Sequence, residues 1–375
     1  MLLFVIMLGL ILGIAEVYSL SKALYRVYYT LKPSRHLIDP EEEFTITTTI
    51  ENQKRMMVPL IRMTEKFPKD ILLKVEGDTV SNDKKYTNLN SSFYMMPRQV
   101  YTRNVPARLT ERGCHYFHDA VLRGGDFLGL KETIEYRRCF QEVVVMPRRV
   151  NCPDLEQTMG EYLGERSVNR FILEDPVLTI GFREYTGREP MRSISWTQSA
   201  RFGKMMVKNF DHTLDQTVTI LLNVEKPMHE QDAIVKIASY KTEETDERVE
   251  QCYSLVRMIC EELEKEQVKY KFVTNAVIAS YAGTWSEVSE GLGGNHYQTV
   301  MEGLGRATNY AAHEFAEILA KTYKQSEQGR SFIIVTPQIE DRWQPELLKL
   351  QELSAGPVLI LTPDMIVKDE EVKTA

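Results

Sequence analysis

Residues 182–210 read FREYTGREPMRSISWTQSARFGKMMVKNF. Six cations (Arg183, Arg188, Arg192, Arg201, Lys204 and Lys208) stand there against two carboxylates, Glu184 and Glu189, with Tyr185 and Trp196 among them. The chain as a whole carries a formal net charge of −7, so this is a local excess of positive charge on an acidic protein. Arginine grips carboxylates and phosphates bidentately, and Arg and Trp are among the residue types that dominate protein interface hot spots. The chemistry on offer is recognition of an anion or of a partner. An internal use stands beside it. Glu189 and Arg192 are three apart and would pair on a helix, and Trp196 is large enough to pack two domains together. Both uses can coexist, with the Trp fixing the segment and the arginines facing a partner.

The remaining reactive residues form weaker patterns. GLGGNHYQT (Gly291–Thr299) is glycine-rich but lacks the Lys-Ser/Thr of a phosphate loop and its strand-to-helix spacing, and reads as a flexible loop. His313-Glu314 has no second His at zinc-helix spacing. Cys114, His115 and His118 lie close together in a β-like stretch, where packing and surface roles are commoner than metal binding. No Gly-x-Ser-x-Gly elbow supports a hydrolase triad. The five cysteines (114, 139, 152, 252 and 260) include no Cys-x-x-Cys pair, which is ordinary usage for a reducing compartment rather than a disulfide framework.

The elements that must position these residues follow from the hydrophobic pattern. At 375 residues, 43% hydrophobic and 26% charged, the chain has room for two globular domains and an accessory segment. The acidic balance argues against a general nucleic-acid binder. Met1–Ala15 carries no charged side chain, and the apolar run extends to Leu20 with Glu16 the one exception. Because Lys22, Arg26, Lys32 and Arg35 follow the run and no cation precedes it, it reads as a spanning helix with its C-terminal side in the cytoplasm rather than as a signal peptide. Residues 36–150 carry short, alternating strand patterns split by Pro, Gly and Asn, which suggests a β-sandwich. After 154 the texture changes. TVTILLNV, VKYKFVTNA, RSFIIVTP and PVLILTP read as buried strands. They alternate with helices expected over 247–267, 305–324 and 345–356, the pattern of a parallel sheet covered on both faces.

Three segments carry a resemblance, the third being the anchor and β domain ahead of the other two. RGCHYFHDAVLRGGDFLGL (Arg112–Leu130) with the following EVVVMP, and the opening segment through Arg183, Tyr185, Arg192, Ile194, Trp196, Ala200 and Arg201, are similar to the signatures of the family called domain of unknown function 58. Arg188 stands where that family's signature has Gly, Glu189 where it has Asp, and His115 where it has Tyr. Many members have two membrane helices, and here there is one. The resemblance implies an α+β multidomain chain: an anchor (1–21), a basic juxtamembrane segment (22–35), a β-sandwich-like domain (36–150), a von Willebrand factor type A-like, Rossmann-like α/β domain (151–365) and a polar tail (366–375).

Type A domains often hold a cation through Asp-x-Ser-x-Ser after the first strand. Here Asn223 replaces the Asp, Glu225 and Pro227 replace the hydroxyls, and Pro337 stands where a further acid is expected. Hard cations need such oxygen ligands, so the site is degenerate and neither metal nor cofactor is expected. The resemblance implies a non-enzymatic, single-pass membrane scaffold or adaptor of a bacterial cell. Its implied partners are a MoxR-type AAA+ ATPase and a transglutaminase-like membrane protein. The expected partner-binding residues are Arg183, Tyr185, Glu189, Arg192, Trp196 and Arg201. Two other readings stay open: an enzyme or anion-binding protein with a pocket at Arg183, Arg192 and Glu189 between the two domains, and an exported adhesive domain.

Overall fold

A computed structural model of the chain describes residues 22–75, 77–83, 85–125, 131–150, 152, 155, 157–162, 179–187, 191–210, 217–226, 239–279, 286–326, 330–354 and 357–366, together with 7, 9, 13, 16 and 17. The chain divides into two compact units, Met1–Arg148 with Leu304–Arg306, and Arg149–Gly303 with Ala307–Ala375.

The first unit is built of β1 (Val27–Pro33), β2 (Leu37–Ile38), β3 (Phe44–Asn52), β4 (Val58–Pro68), β5 (Ile71–Leu73), β6 (Thr79–Asn82), β7 (Tyr86–Met95), β8 (Val100–Leu109), β9 (Gly113–Phe117), β10 (Ala120–Gly125), β11 (Glu132–Arg137) and β12 (Gln141–Val145). They form sheets ordered β1-β3-β8-β5, β11-β10-β4-β7-β6 and β2-β12-β9. Strand β3 alternates buried and half-buried residues along its whole length, the period of a sheet with one face in a core. Its inward Phe44 and Ile46 join Phe67, Leu89, Val105, Leu109, Phe117 and Val143 in one apolar cluster. A charge is buried among them. Glu65 accepts the hydroxyls of Tyr29 (2.8 Å) and Thr48 (2.7 Å) and pairs with Arg103, which also reaches Asp78. Burial pushes the Glu65 carboxyl above its usual range, against the pull of Arg103.

The second unit holds β13 (Thr179–Glu184), α1 (Trp196–Phe202), β14 (Met206–Phe210), β15 (Val218–Leu222), α2 (Ser239–Lys265), β16 (Tyr270–Thr274), β17 (Ala276–Ile278), β18 (Glu287–Gly291), α3 (Gly294–Arg306), β19 (Ala307–Ala311), α4 (Phe315–Gln325), β20 (Ser331–Val335), α5 (Gln344–Leu353) and β21 (Leu359–Leu361). A five-stranded sheet runs β18-β16-β15-β20-β21. All its pairings are parallel except that of β18 with β16. Every residue of β15 and β20 is buried, as expected for strands covered on both faces. Helices α4 and α5 seal one apolar cluster, in which the rings of Phe315 and Trp343 meet edge to face at 5.5 Å.

Several expectations are corrected. Among the described residues strand outweighs helix, so the α+β multidomain class expected for the chain is corrected to mainly β. Among them no helix is long and apolar enough to cross a membrane. The spanning helix over 1–21 and the single-pass membrane location are corrected on that finding; most of 1–21 lies outside the described residues. The nearby apolar residues serve the β core instead. Leu24 is buried with Val27, Ile50 and Leu122, and it packs so closely on Gly124 that a Cβ there would come within 2.9 Å. The segment 22–35 is not a basic tether, because Val27–Pro33 pairs along its full length with β3. The expected 305–324 helix is divided. Helix α3 ends at Arg306, Ala307–Ala311 pairs with β17, and the next helix starts at Phe315. The polar tail lies almost entirely outside the described residues.

Candidate functional site

The described residues of 179–210 form a small β-ribbon with a helix tied to one edge. Strands β13 and β14 pair antiparallel, with Phe182 opposite Lys208, Arg183 opposite Val207 and Glu184 opposite Met206. Directly opposed residues share a face of the pair. One face therefore carries Phe182, Lys208, Glu184 and Met206, and the other carries Arg183 and Val207. Beyond β13 the Tyr185 N–H continues the ladder to the Met205 carbonyl at 2.8 Å.

The far edge of β14 is taken up by the chain itself. Ile194 bridges to Val207, and both are buried. The Ser195 N–H donates to the Met206 carbonyl at 2.9 Å. The Ser199 hydroxyl accepts the Met206 N–H at 2.8 Å and donates to the Ser195 carbonyl at 2.8 Å. Helix α1 ends at Gly203, whose φ of 66° is the left-handed conformation glycine adopts at helix ends.

What this frame presents is apolar and basic. No residue of α1 is buried, and Trp196 is 63% exposed. Phe182, Met191, Phe202 and Met205 are exposed as well. Arg183, Arg201 and Lys204 are exposed around them and Lys208 is half-buried. Glu184 meets Lys204 at 3.3 Å. Tyr185 is half-buried. Among the described residues Trp196 is not taken into a core. Arg192 lies in a single 3-10 turn, Met191–Ser193, and its side chain, with Glu189 and the Glu189–Arg192 pairing, lies outside the described residues. Ser195, just before the helix, and Ser199 one turn on do the positioning, and no motif had singled them out.

The degenerate metal position sits at the carboxyl ends of the parallel strands, where open sheets commonly place ligands. Here it is closed by side-chain hydrogen bonds. Asn223 Oδ1 accepts from Asn275 Nδ2 and from the Glu225 N–H, each at 2.9 Å. Asn223 Nδ2 donates to Thr336 Oγ1 at 3.1 Å, whose hydroxyl donates to the Gln338 carbonyl at 2.7 Å. An aspartate could not make the Nδ2 donation, so the Asn is matched to this arrangement. Glu225 turns elsewhere. It accepts the Phe315 N–H at 2.7 Å, filling the N-terminus of α4, and Arg342 Nη2 at 2.7 Å. Burial holds its carboxyl above the usual range, while Phe315 and Arg342 pull the other way.

The other candidates are placed apart. The glycine-rich segment joins β18 to α3, but it is pinned rather than loose. The Gly293 N–H donates to both oxygens of Glu264 at 3.0 Å, and a Cβ on Gly291 would stand 2.6 Å from the His296 ring. Cys114 donates to Glu142, His115 contacts the Glu111 carbonyl, and the His118 ring packs on Tyr86. A cleft of about 450 Å³ beside β16 and β17 includes His313, Glu317 and Lys321 in its wall, and one of about 350 Å³ lies by Leu73 and Pro106. Neither is lined by a residue of the 182–208 segment.

No family model matches the chain, and no curated protein does. Solved structures similar to it include a non-cellulosomal cohesin from the hyperthermophilic archaeon Archaeoglobus fulgidus, at 11% identity over 31% of this chain and 90% of that one, TM-score 0.24. A type II cohesin domain from the cellulosome of Acetivibrio cellulolyticus is 14% identical over 32% of this chain and 94% of that one, TM-score 0.24. The CARDB domain of a Pyrococcus furiosus protein, in complex with di-metal ions, is 11% identical over 32% and 86%, TM-score 0.22. At such scores the site has to be argued from this chain's own residues. The type A description expected for 151–365 is corrected to what its described residues form, the five-stranded mixed sheet given above. The names of these neighbours mention neither an AAA+ ATPase nor a transglutaminase-like protein.

Proposed function

We propose that the chain is a non-enzymatic scaffold or adaptor that binds a protein partner through the apolar and basic surface of residues 182–208. The observation that carries this reading is the exposure of Trp196 on a frame whose backbone is tied down by Ser195 and Ser199. A solvent-facing Trp forfeits the free energy of burying a large ring, and that loss is recovered when a partner covers it. A pre-set frame lowers the ordering cost of binding. The crest of the sheet supports the same reading, because Asn223, Asn275, Thr336 and Glu225 are engaged with one another and with backbone.

On the resemblance to domain of unknown function 58 proteins, the proposed partner is a MoxR-type AAA+ ATPase, with a transglutaminase-like membrane protein as the second member of the assembly. The test is affinity purification from the native host, with the captured proteins identified by mass spectrometry for wild type, Trp196→Ala and Arg201→Ala. An ATPase of that type captured by wild type and lost in variants with unchanged thermal melts is the expected result. Undiminished capture by both variants would take this surface out of the account.

A further inference from the structure

We propose that the partner segment received here is acidic and amphipathic: a peptide stretch carrying Asp or Glu beside large apolar side chains. This rests on the reading of 182–208 as a partner surface and adds the chemistry of what it takes. The argument is charge complementarity on an apolar ground. On one face of the ribbon Phe182 lies across from Lys208, with the Glu184–Lys204 pair beside it. The helix adds Trp196, Phe202 and Arg201, all exposed. Among the described residues of 181–208 the one acid, Glu184, is paired with Lys204, while Arg201 and Lys208 form no ion pair. A basic partner would meet repulsion there. A neutral apolar partner would leave those cations to be desolvated without compensation.

An acidic partner gains on both counts. Its apolar side chains cover Trp196 and Phe202, and its carboxylates meet guanidinium and ammonium groups at the rim, where complementary charge sets orientation and specificity. The rest of the chain is acidic, with a net charge of −7 over all residues. Long-range attraction is therefore weak and the selection is local, within about one Debye length, ~8 Å at physiological salt.

The experiment uses the full chain and two fluorescein-labelled probe peptides of equal length. One alternates Glu with Leu and Phe, and the other carries Lys in place of Glu. Anisotropy titrations are run with wild type, Trp196→Ala and the charge reversal Arg201→Glu/Lys208→Glu, each checked by thermal melt. The expected result is binding of the acidic probe alone, weakened about tenfold or more by Trp196→Ala, the scale of an anchor residue. The charge reversal should turn the preference toward the Lys probe. Equal binding of both probes, no binding of either, or an acidic-probe affinity that ignores both variants overturns the proposal. So does Trp196-dependent binding of a single-stranded oligonucleotide in place of the acidic peptide. Partner capture lost in Trp196→Ala while the acidic probe fails would leave the adaptor reading standing and remove the chemistry inferred here.

Discussion

The Ser199 hydroxyl accepts the Met206 N–H at 2.8 Å, fastening the helix that carries Trp196 to the edge of strand β14. The same hydroxyl donates to the Ser195 carbonyl, so one side chain closes both sides of the corner. The exposed ring is thereby held by backbone geometry, not by packing of its own.

Ser199→Ala should free that corner. An unmet hydrogen bond at a half-covered backbone group costs about 1 kcal/mol. We expect a small fall in melting temperature and faster hydrogen exchange at the Met206 amide, with weaker partner binding through a looser frame. Unchanged exchange at Met206 would show that the hydroxyl does not hold the helix.

Asn223→Asp restores the carboxylate that the metal-binding pattern would place there, and the network predicts that this is harmful. The variant loses the donation to Thr336 and buries a charge beside that hydroxyl. The expected destabilisation is about 1–3 kcal/mol, read by urea denaturation. Added Mg²⁺ should not restore it; full recovery with Mg²⁺ would mean that the crest keeps a latent cation site.

Glu225 gives a pH-dependent test. Its carboxyl is raised above the ordinary value of 4.5, chiefly by burial. A carboxyl raised in the folded state holds its proton more tightly there than in the unfolded chain. Its contribution to stability is full below the unfolded value and is lost as pH rises through the folded one. Glu225→Gln keeps an oxygen for the Phe315 N–H and removes that dependence. Melting curves from mildly acidic to neutral pH should therefore slope less in the variant than in wild type. Parallel slopes would contradict the assignment.

Lys54 titrates in the opposite sense. Its ammonium donates to the Lys22 and Ala23 carbonyls at 2.8 and 2.6 Å, and burial lowers its pKa from 10.5 to about 8. Its contribution to stability is present above the unfolded value and lost as pH falls through the folded one. Competitive acetylation followed by peptide mass spectrometry should give Lys54 a midpoint near that lowered value. A midpoint among the ordinary lysines would show that the site is more hydrated than its contacts imply.

Local pattern carried the sheets well and the site only in part. The alternation of FTITTTIEN and the short β-branched runs of β15 and β20 are readable because half-buried and fully buried strands each leave their own local pattern. Ala307–Ala311 was misread as helix because its pairing with β17 is a tertiary contact that no short window contains. The segment 22–35 was misread as a basic juxtamembrane stretch because Lys32, the one charge within β1, is an outward position of a strand paired with β3. Trp196 could be marked as important, but buried or exposed was undecided, since size alone does not say which side of a surface a ring takes. Glu225 was legible as a lost metal ligand and not as a helix cap, because the amide it accepts lies 90 positions along the chain.

The central claim, that the surface around Trp196 is where a partner docks, is tested most directly by site-specific photo-crosslinking in the native host. A photoreactive phenylalanine analogue would replace Trp196 in one strain and the exposed Ile339 in another. The account predicts one discrete adduct at position 196, identified by mass spectrometry as a MoxR-type ATPase or another protein contacting through an acidic segment, and none at 339. Adducts at 339 with none at 196 would contradict it.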